Sequence, residues 1–495
     1  MEKITPADIR YADLAAKRFN KRYTGKPEYI QLPRSTYDVV NAVQEAVSSK
    51  KRVVVRSGGH CLEGFVADPA VQVLIDLSLM TAIYFDHKHT AFAVEAGATV
   101  GETYRQLFLG WGVVLPAGEH PGIGMGGHVL GGAFGFLCRK YGLAADYLYA
   151  IELVAVDASG KAHAVIATRE ATDPNRELWW AHTGGGGGNF GIVTRYWLRS
   201  PDATGSDPFT ALPKAPASIT TFRVSWNWND LDELSFTRLA RNFGEWSRQH
   251  NSPDSQYNQL FSLLFLNHRN LGTVQIKGLA TGPNANHLIQ EHLAAIAGPE
   301  GLPYTQQIEE TPWLRFALNP FPELFMPGFD NALAKVKDAL LREPLTGSQL
   351  ATAWKYLTAN ENIGGGLAMA TYGGKVNTVP PDATASAQRN CILDLACNTG
   401  WGDAAGEATA VAWVRNFYQE LFAATGGVPV PNEQTDGCMI NHPDTDLADP
   451  EWNKSGVPWY TLYYKENYPR LQQVKRQWDP LNIFYHALSI QGGDQ

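Results

Sequence analysis

The 495-residue chain is short of cysteine, of surplus positive charge and of any long apolar run. Its five cysteines, Cys61, Cys138, Cys391, Cys397 and Cys438, form no CxxC pair and leave one over. That pattern fits a reducing compartment better than a disulfide framework, and excludes neither a thiol site nor a cofactor bond. Lys and Arg number 41 against 49 Asp and Glu, a net charge of −8, so the basic face a nucleic-acid partner wants is missing. No run of about eighteen apolar residues is present to cross a membrane. The start, MEKITPADIRYADL, shows no cationic segment followed by an apolar one, so no secretory signal is visible and a cytoplasmic location is expected. Repeats and low-complexity tracts are also missing.

What is there reads as globular and larger than one core: 44% hydrophobic, 18% charged, and long enough for two domains. Fourteen tryptophans and twenty tyrosines suit either a pocket for a flat ligand or an aromatic-rich core. RVVVRSGGH, VQVLIDLS and TAFAVEAGA read as strands, and TVGETYRQLFLGWG as a helix that Gly112 can end. LYAIELVAVDASGKAHAV reads as a hairpin, GIVTRYWLRSP as a closing strand, and residues 201–216 as a linker. From Ile219 the strands SITTFRVSWNWN, NQLFSLLFLNH and TVQIKGLATG alternate with helices such as NANHLIQEHLAAIAG, which predicts an antiparallel sheet with helices on one face, an α+β domain. After Gly437, WYTLYYKENYPRLQQVKRQWDP reads as one helix stopped by Pro480.

Three glycine-rich turns fall within the first half. In RSGGH, Arg56, Ser57, Gly58, Gly59 and His60 follow a buried strand, where consecutive N–H groups can converge on an anion; the same turn can be an ordinary tight one. In AGEHPGIGMGGHVLGG, His120 and His128 stand eight residues apart with only Glu119 nearby, a poor zinc site, and no metal is expected. GIGMGG imitates a dinucleotide fingerprint but lacks its strand–turn–helix setting and distant acid. HTGGGGGNFG is costly in backbone entropy as mere filler. Together they imply one long ligand laid across this half.

The segments VVVRSGGHCLEGF, PAGEHPGIGMGGHVLGGAFGFLCRKYGLAADYL, ELWWAHTGGGGGNFGIVTRYW and NYPRLQQVKRQWDPLNIF resemble, nearly end to end, the FAD-linked oxidases of the berberine bridge enzyme type, within the vanillyl-alcohol oxidase superfamily. The look is nearest to bacterial oxidases of antibiotic pathways. The resemblance implies a two-domain α+β fold of the PCMH-type FAD-binding kind, with an antiparallel-sheet substrate domain covered by helices. Residues 1–205 and 438–495 would form the FAD domain, and 206–437 the substrate domain. It implies FAD bonded to His60 through the flavin 8α-methyl, with the backbone of Arg56, Ser57, Gly58, Gly59 and His60 cradling the pyrophosphate and Cys61 also at the cofactor. Gly118, His120, Gly122, Ile123, Gly124, Gly126, Gly127 and His128 would line it, as would Gly191, Ile192 and Val193, while Asn482 would help close the flavin end.

The same resemblance implies hydride transfer from a complex small molecule of secondary metabolism or detoxification, with O2 reoxidising the flavin to give H2O2. Neither nucleic acid nor membrane is expected as a partner. Doubly tethered members carry a cysteine where this chain has His120, so a single tether is expected; Cys138 reads as a buried helix cysteine. Phe134 stands in place of a family tyrosine and Gln388 in place of a histidine. The segment MINHPD puts Met439 and His442 where relatives place tyrosines that include the usual base. An imidazole of pKa near 6.5 is a competent base, so His442 is the expected acid/base, against an inert wall. Tyr372 and Tyr464 are candidate pocket phenols or packing. The alternatives are an oxidative or redox-neutral cyclase on the same scaffold, or a flavoprotein that sequesters a metabolite.

Overall fold

Fifteen strands form three sheets among the residues that the structure, a computed structural model, describes: 2–299, 301–320, 333–360 and 363–493. β1 (Tyr29–Gln31), the valine-rich β2 (Val53–Arg56) and β3 (Val73–Asp76) make a parallel sheet in the order β1-β3-β2. Helix Thr36–Ser48 connects the first two. Ser35 caps it, accepting the Asp38 N–H, and Val39, Ala42, Val43 and Ala46 bury one helical face.

A second, antiparallel sheet runs β4-β5-β8-β6-β7, built from β4 (Ile83–Asp86), β5 (Ala91–Glu95), β6 (Leu148–Val156), β7 (Ala162–Thr168) and β8 (Ile192–Leu198). Before helix Val100–Trp111, Thr99 and Glu102 exchange capping bonds. Behind it Gly112 takes φ +66°, the left-handed stop read from the sequence.

The largest sheet comprises β9 (Ser218–Asn227), β10 (Leu260–Asn267), β11 (Thr273–Thr281), β12 (Thr305–Pro312), β13 (Leu333–Leu341), β14 (Gly364–Thr371) and β15 (Leu393–Trp401). Its order is β12-β9-β11-β10-β14-β15-β13, antiparallel throughout. Helices Glu233–Gln249, Ala285–Ala297 and Glu407–Leu421 pack on it. The His292 ring, for instance, meets Ser262 Oγ of β10 at 2.9 Å. This is the two-domain α+β architecture expected, with helices on one face of the antiparallel sheet.

One reading needs correction. The single helix expected near the C-terminus is two, Trp459–Tyr464 and Tyr468–Trp478, parted at Lys465 with φ +49°. Pro469 is the cause: lacking an N–H, it is tolerated only in a first turn, so the helix restarts at Tyr468. The second helix packs on helix Arg176–Ala181. There Arg470 pairs with Glu177 at 2.6 Å, and Lys475 Nζ donates to Asn189 O at 2.7 Å beside the glycine run.

Candidate active site

A cavity of about 1040 Å³ lies between the glycine turns and the open face of the large sheet. Alternation brings Leu263, Phe265 and Asn267 of β10, Gln275 and Lys277 of β11, Ala368 and Ala370 of β14, and Asp394, Ala396 and Asn398 of β15 to it, while the ends of β14 and β15 border it with consecutive residues. Its size is at the upper end of small-molecule sites, enough for a large ligand.

On the opposite wall two glycine turns touch backbone to backbone. A Cβ on Gly58 would stand 2.3 Å from the Gly124 nitrogen, so no side chain fits between them. Arg56 anchors the first turn from behind. Its guanidinium donates to Asp76 Oδ2 at 2.8 and 2.6 Å, with both residues buried, so Arg56 can serve a ligand only through its backbone. Ser57, Gly58, Gly59, His60, Cys61, Gly118, His120, Ile123, Gly124, Gly126, Gly127 and His128 all border the cavity. Gly122 does not; the His60 and His120 rings cover it, each 3.1 Å from where its Cβ would be. Gly191 and Val193 border the cavity, whereas Ile192, between them on β8, points to the other side. The third turn contributes Gly186 and Gly188, at φ +85° and +73°. Three glycine-rich turns on one cavity of this volume fit a dinucleotide-sized cofactor such as FAD.

At one part of this wall His60 is stacked on Phe19, with ring centres 4.9 Å apart, and lies 4.8 Å from His120. Burial, helped by the charges His120, His128 and Lys17 would carry, lowers the His60 pKa to about 3, so its ring is neutral and nucleophilic. The His120 Nδ1 accepts the Gly122 N–H at 3.0 Å. Cys61 borders the cavity too, but burial pushes its thiol up to about 12 and keeps it protonated. Cys138 is fully buried and does not border the cavity.

His442 and Met439 border the same cavity. Asp338 of β13 holds both: it accepts the Met439 N–H at 2.7 Å and meets His442 Nδ1 at 3.0 Å. Burial would lower the His442 pKa, but the Asp338 hydrogen bond and the charges of Asp338, Asp394 and Glu119 outweigh it and raise it to about 9. This corrects the expectation of an ordinary imidazole near 6.5: at neutral pH the ring carries a proton. Asp394, a diagonal neighbour of Asp338 across the β13–β15 ladder, is held well above the carboxylate range by burial and by Asp338. Glu119 is raised to about 7 by burial, opposed by His442. Among the described residues Asp394 Oδ1 and Glu119 Oε1 have no hydrogen-bond partner, though both residues border the cavity. Donor atoms of Asp338, Asp394 and His442 lie within 4.8 Å of one another, close enough to share a proton or a cation.

Three expected site residues stand elsewhere. Tyr372 is 1% exposed, stacked on Phe134 at 5.2 Å behind the cavity wall. Tyr464 is fully buried and donates its hydroxyl to Gly185 O at 3.1 Å, a brace for the glycine run. Asn482 is an exposed turn residue at φ +50°, a backbone position Asn tolerates better than most. The C-terminal segment closes the cavity instead with Phe484, Tyr485 and His486, whose Nε2 meets Gly187 O at 3.0 Å. Asp338, Asp394 and Glu119 escaped the sequence reading. A lone acid inside an apolar run, as in ILDLAC, was the available signal for Asp394; Asp338, close to Lys335 and Lys337 in LAKVKDALL, gave none.

Comparison with known proteins agrees with this geometry. Residues 27–165 match the FAD binding domain family and 438–491 the berberine and berberine-like family. The chain is 50% identical over 493 residues to the aclacinomycin-N/aclacinomycin-A oxidase of Streptomyces galilaeus, covering 99% of this chain and 89% of that one. It is 28% identical to hexose oxidase of Chondrus crispus over 95% of this chain and 92% of that one. The crystal structure of aclacinomycin oxidoreductase superposes with a TM-score of 0.96 at 49% identity, covering 99% of both chains. That of a glycopeptide hexose oxidase complexed with teicoplanin gives 0.95 at 44% identity, over 99% of this chain and 98% of that one. The chain therefore belongs to the berberine bridge enzyme-like family and is an FAD-dependent oxidoreductase.

Proposed function

We propose that this protein is an oxidase of a complex, alcohol-bearing secondary metabolite, with FAD held covalently by His60 alone and His442 exchanging the substrate proton. The observation that carries this is His442 itself, facing the cavity of the glycine turns with Nδ1 fixed by Asp338, which leaves Nε2 for a ligand. Residues 1–205 with 438–495 act as the flavin part and 206–437 as the substrate part. In support, the glycine-turn wall of the cavity comes from residues before 205 and the sheet wall from β10, β11, β14 and β15, while Met439 and His442 stand where the two meet. FAD bound here would provide the hydride acceptor, with O2 as the final oxidant and H2O2 as the reduced product. His60, neutral and beside the cavity, would hold the flavin through its 8α-methyl; His120, at the family's second tether position, would form a polar wall beside it. In its neutral form His442 takes the hydroxyl proton as hydride leaves the adjacent carbon, and Asp338 steadies the imidazolium that results.

The standing charge on His442 favours a second reading, a dehydrogenation or oxidative cyclisation in which the imidazolium holds a substrate oxygen and takes no proton. Two measurements test the assignment. Acid-denatured protein should carry flavin fluorescence on the peptide with His60 only; flavin on the peptide of His120 or Cys138, or no bound flavin, overturns the single tether. Oxygen uptake, with aclacinomycins N and A as the first probes of a metabolite panel, should be stoichiometric with product. Conversion without oxygen uptake points to a redox-neutral cyclase, and tight binding without flavin reduction under anaerobic conditions points to sequestration.

A further inference from the structure

Residues 436–446 wrap the free edge of β13. Asp436 N–H donates to Leu340 O and Leu340 N–H to Gly437 O, each at 2.8 Å. On the cavity side Asp338 then holds Met439 and His442. Beyond Pro443 the chain passes to the other side of the strand, where Asp444 and Asp446 are buried. Alternation along β13 sends Lys335 and Lys337 to that side, opposite Asp338. Lys335 Nζ donates to Asp444 Oδ1 at 2.7 Å and to Glu63 Oε1. Lys337 Nζ donates to Asp446 Oδ2 at 2.8 Å and also to Asp444, and Arg415 pairs with Asp446 at 2.7 Å. Three cations thus face three carboxylates.

Glu63 lies on the loop that carries His60. Its second oxygen accepts the Tyr23 hydroxyl at 2.5 Å, which fixes the carboxylate from the other side. One ammonium, 2% exposed, therefore joins the loop of His60 to the loop of His442. Apolar side chains of similar volume would hold a core at least as well as buried ions. What ions add is a fixed distance and direction between the parts they join.

We infer that Lys335 is a positioning residue, setting the place of the His60 loop and the His442 loop relative to each other through Glu63 and Asp444. The inference rests on the proposed roles of His60 and His442. His442 is faced by Asp338 of β13, Asp394 of β15, Glu119 of the loop after Leu115, and His128. A shift of its loop moves it relative to all four.

The test uses the FAD-loaded full-length protein and needs no substrate. Covalent flavin per polypeptide is measured after acid precipitation, and the His442 titration midpoint by NMR of the histidine-labelled protein, assigned with His442→Gln. Lys335→Met should lower flavin attachment at least about threefold and drop the His442 midpoint by about one pH unit; Lys335→Arg should restore most of both. Glu63→Gln should reduce attachment and move the midpoint less than Lys335→Met does, since Lys335 keeps its bond to Asp444 and only the 3.4 Å contact from Thr445 N–H to Glu63 Oε1 is touched on the His442 side. Parent values of both readouts in Lys335→Met overturn the inference. If that variant does not fold, parent-level attachment in Glu63→Gln overturns it. Loss of the underlying reading looks different: His60→Ala would then leave flavin attachment unchanged, whatever Lys335 does.

Discussion

The Gly124 Cα and the Gly58 nitrogen lie so close that a Cβ on Gly124 would stand 2.1 Å from that nitrogen and 2.0 Å from Ser57 Oγ. Neither neighbour can yield, because one is backbone and the other donates to Ala96 O at 2.6 Å. Gly124→Ala should therefore spread the two turns, cost about 1–3 kcal/mol of stability, and strip the protein of flavin. Gly110, in helix Val100–Trp111 with nothing among the described residues within 4 Å of its added Cβ, is the control. Gly110→Ala should raise stability by about 0.5–1 kcal/mol and keep full flavin content. Absorbance at the flavin bands and thermal melts read both; a flavin-loaded Gly124→Ala protein would refute the cradle.

Behind the same turn, Arg56 and Asp76 form a buried pair. Burial would raise the Asp76 carboxyl, but the charges of Arg56 and Lys17 hold it below the usual carboxylate range. A depressed folded pKa gives stability that is present above about pH 4 and lost as pH falls below it. Asp76→Asn leaves the guanidinium buried without its counter-charge and should cost about 3–5 kcal/mol at neutral pH. The gap between parent and variant melting temperatures should close as pH drops toward 3.

Tyr464 separates bracing from chemistry. Its hydroxyl touches Gly185 O and does not border the cavity. Tyr464→Phe should cost about 1 kcal/mol and leave flavin attachment unchanged. A collapse of flavin attachment would put the phenol back at the site.

Much of the flavin wall was legible because it is written locally. Strand, glycine turn and helix cap are set by neighbours in sequence, as at Arg56–Gly59 and at Gly112. The reaction end was not, because it is built by pairing at long range. Asp338 meets His442 across 104 positions, only because residues 436–446 lie along the β13 edge. Tyr372 and Tyr464 stayed open between pocket and packing for the same reason: a phenol in the right segment faces the cavity or the core according to which side of its element the fold buries. Asn482 is a case of local turn geometry overriding a motif, with the neighbouring His486 reaching the glycine run in its place.

The protonation of His442 gives the sharpest test of the site. A folded pKa raised above the unfolded value contributes stability that is complete below about pH 6.5 and disappears as pH rises through about 9. The melting temperature of the parent relative to His442→Gln should therefore be highest in acid and converge above pH 9. Asp338 is both the hydrogen-bond partner and the nearest charge, so Asp338→Asn should bring the His442 midpoint down from about 9 toward or below 6.5. If His442 is the base, oxidation in the parent should climb as pH approaches 9, and Asp338→Asn should move that climb toward neutral pH while slowing the plateau. A rate that instead falls as pH passes 9 would mean that the imidazolium does the work, and would select the dehydrogenation reading over alcohol deprotonation.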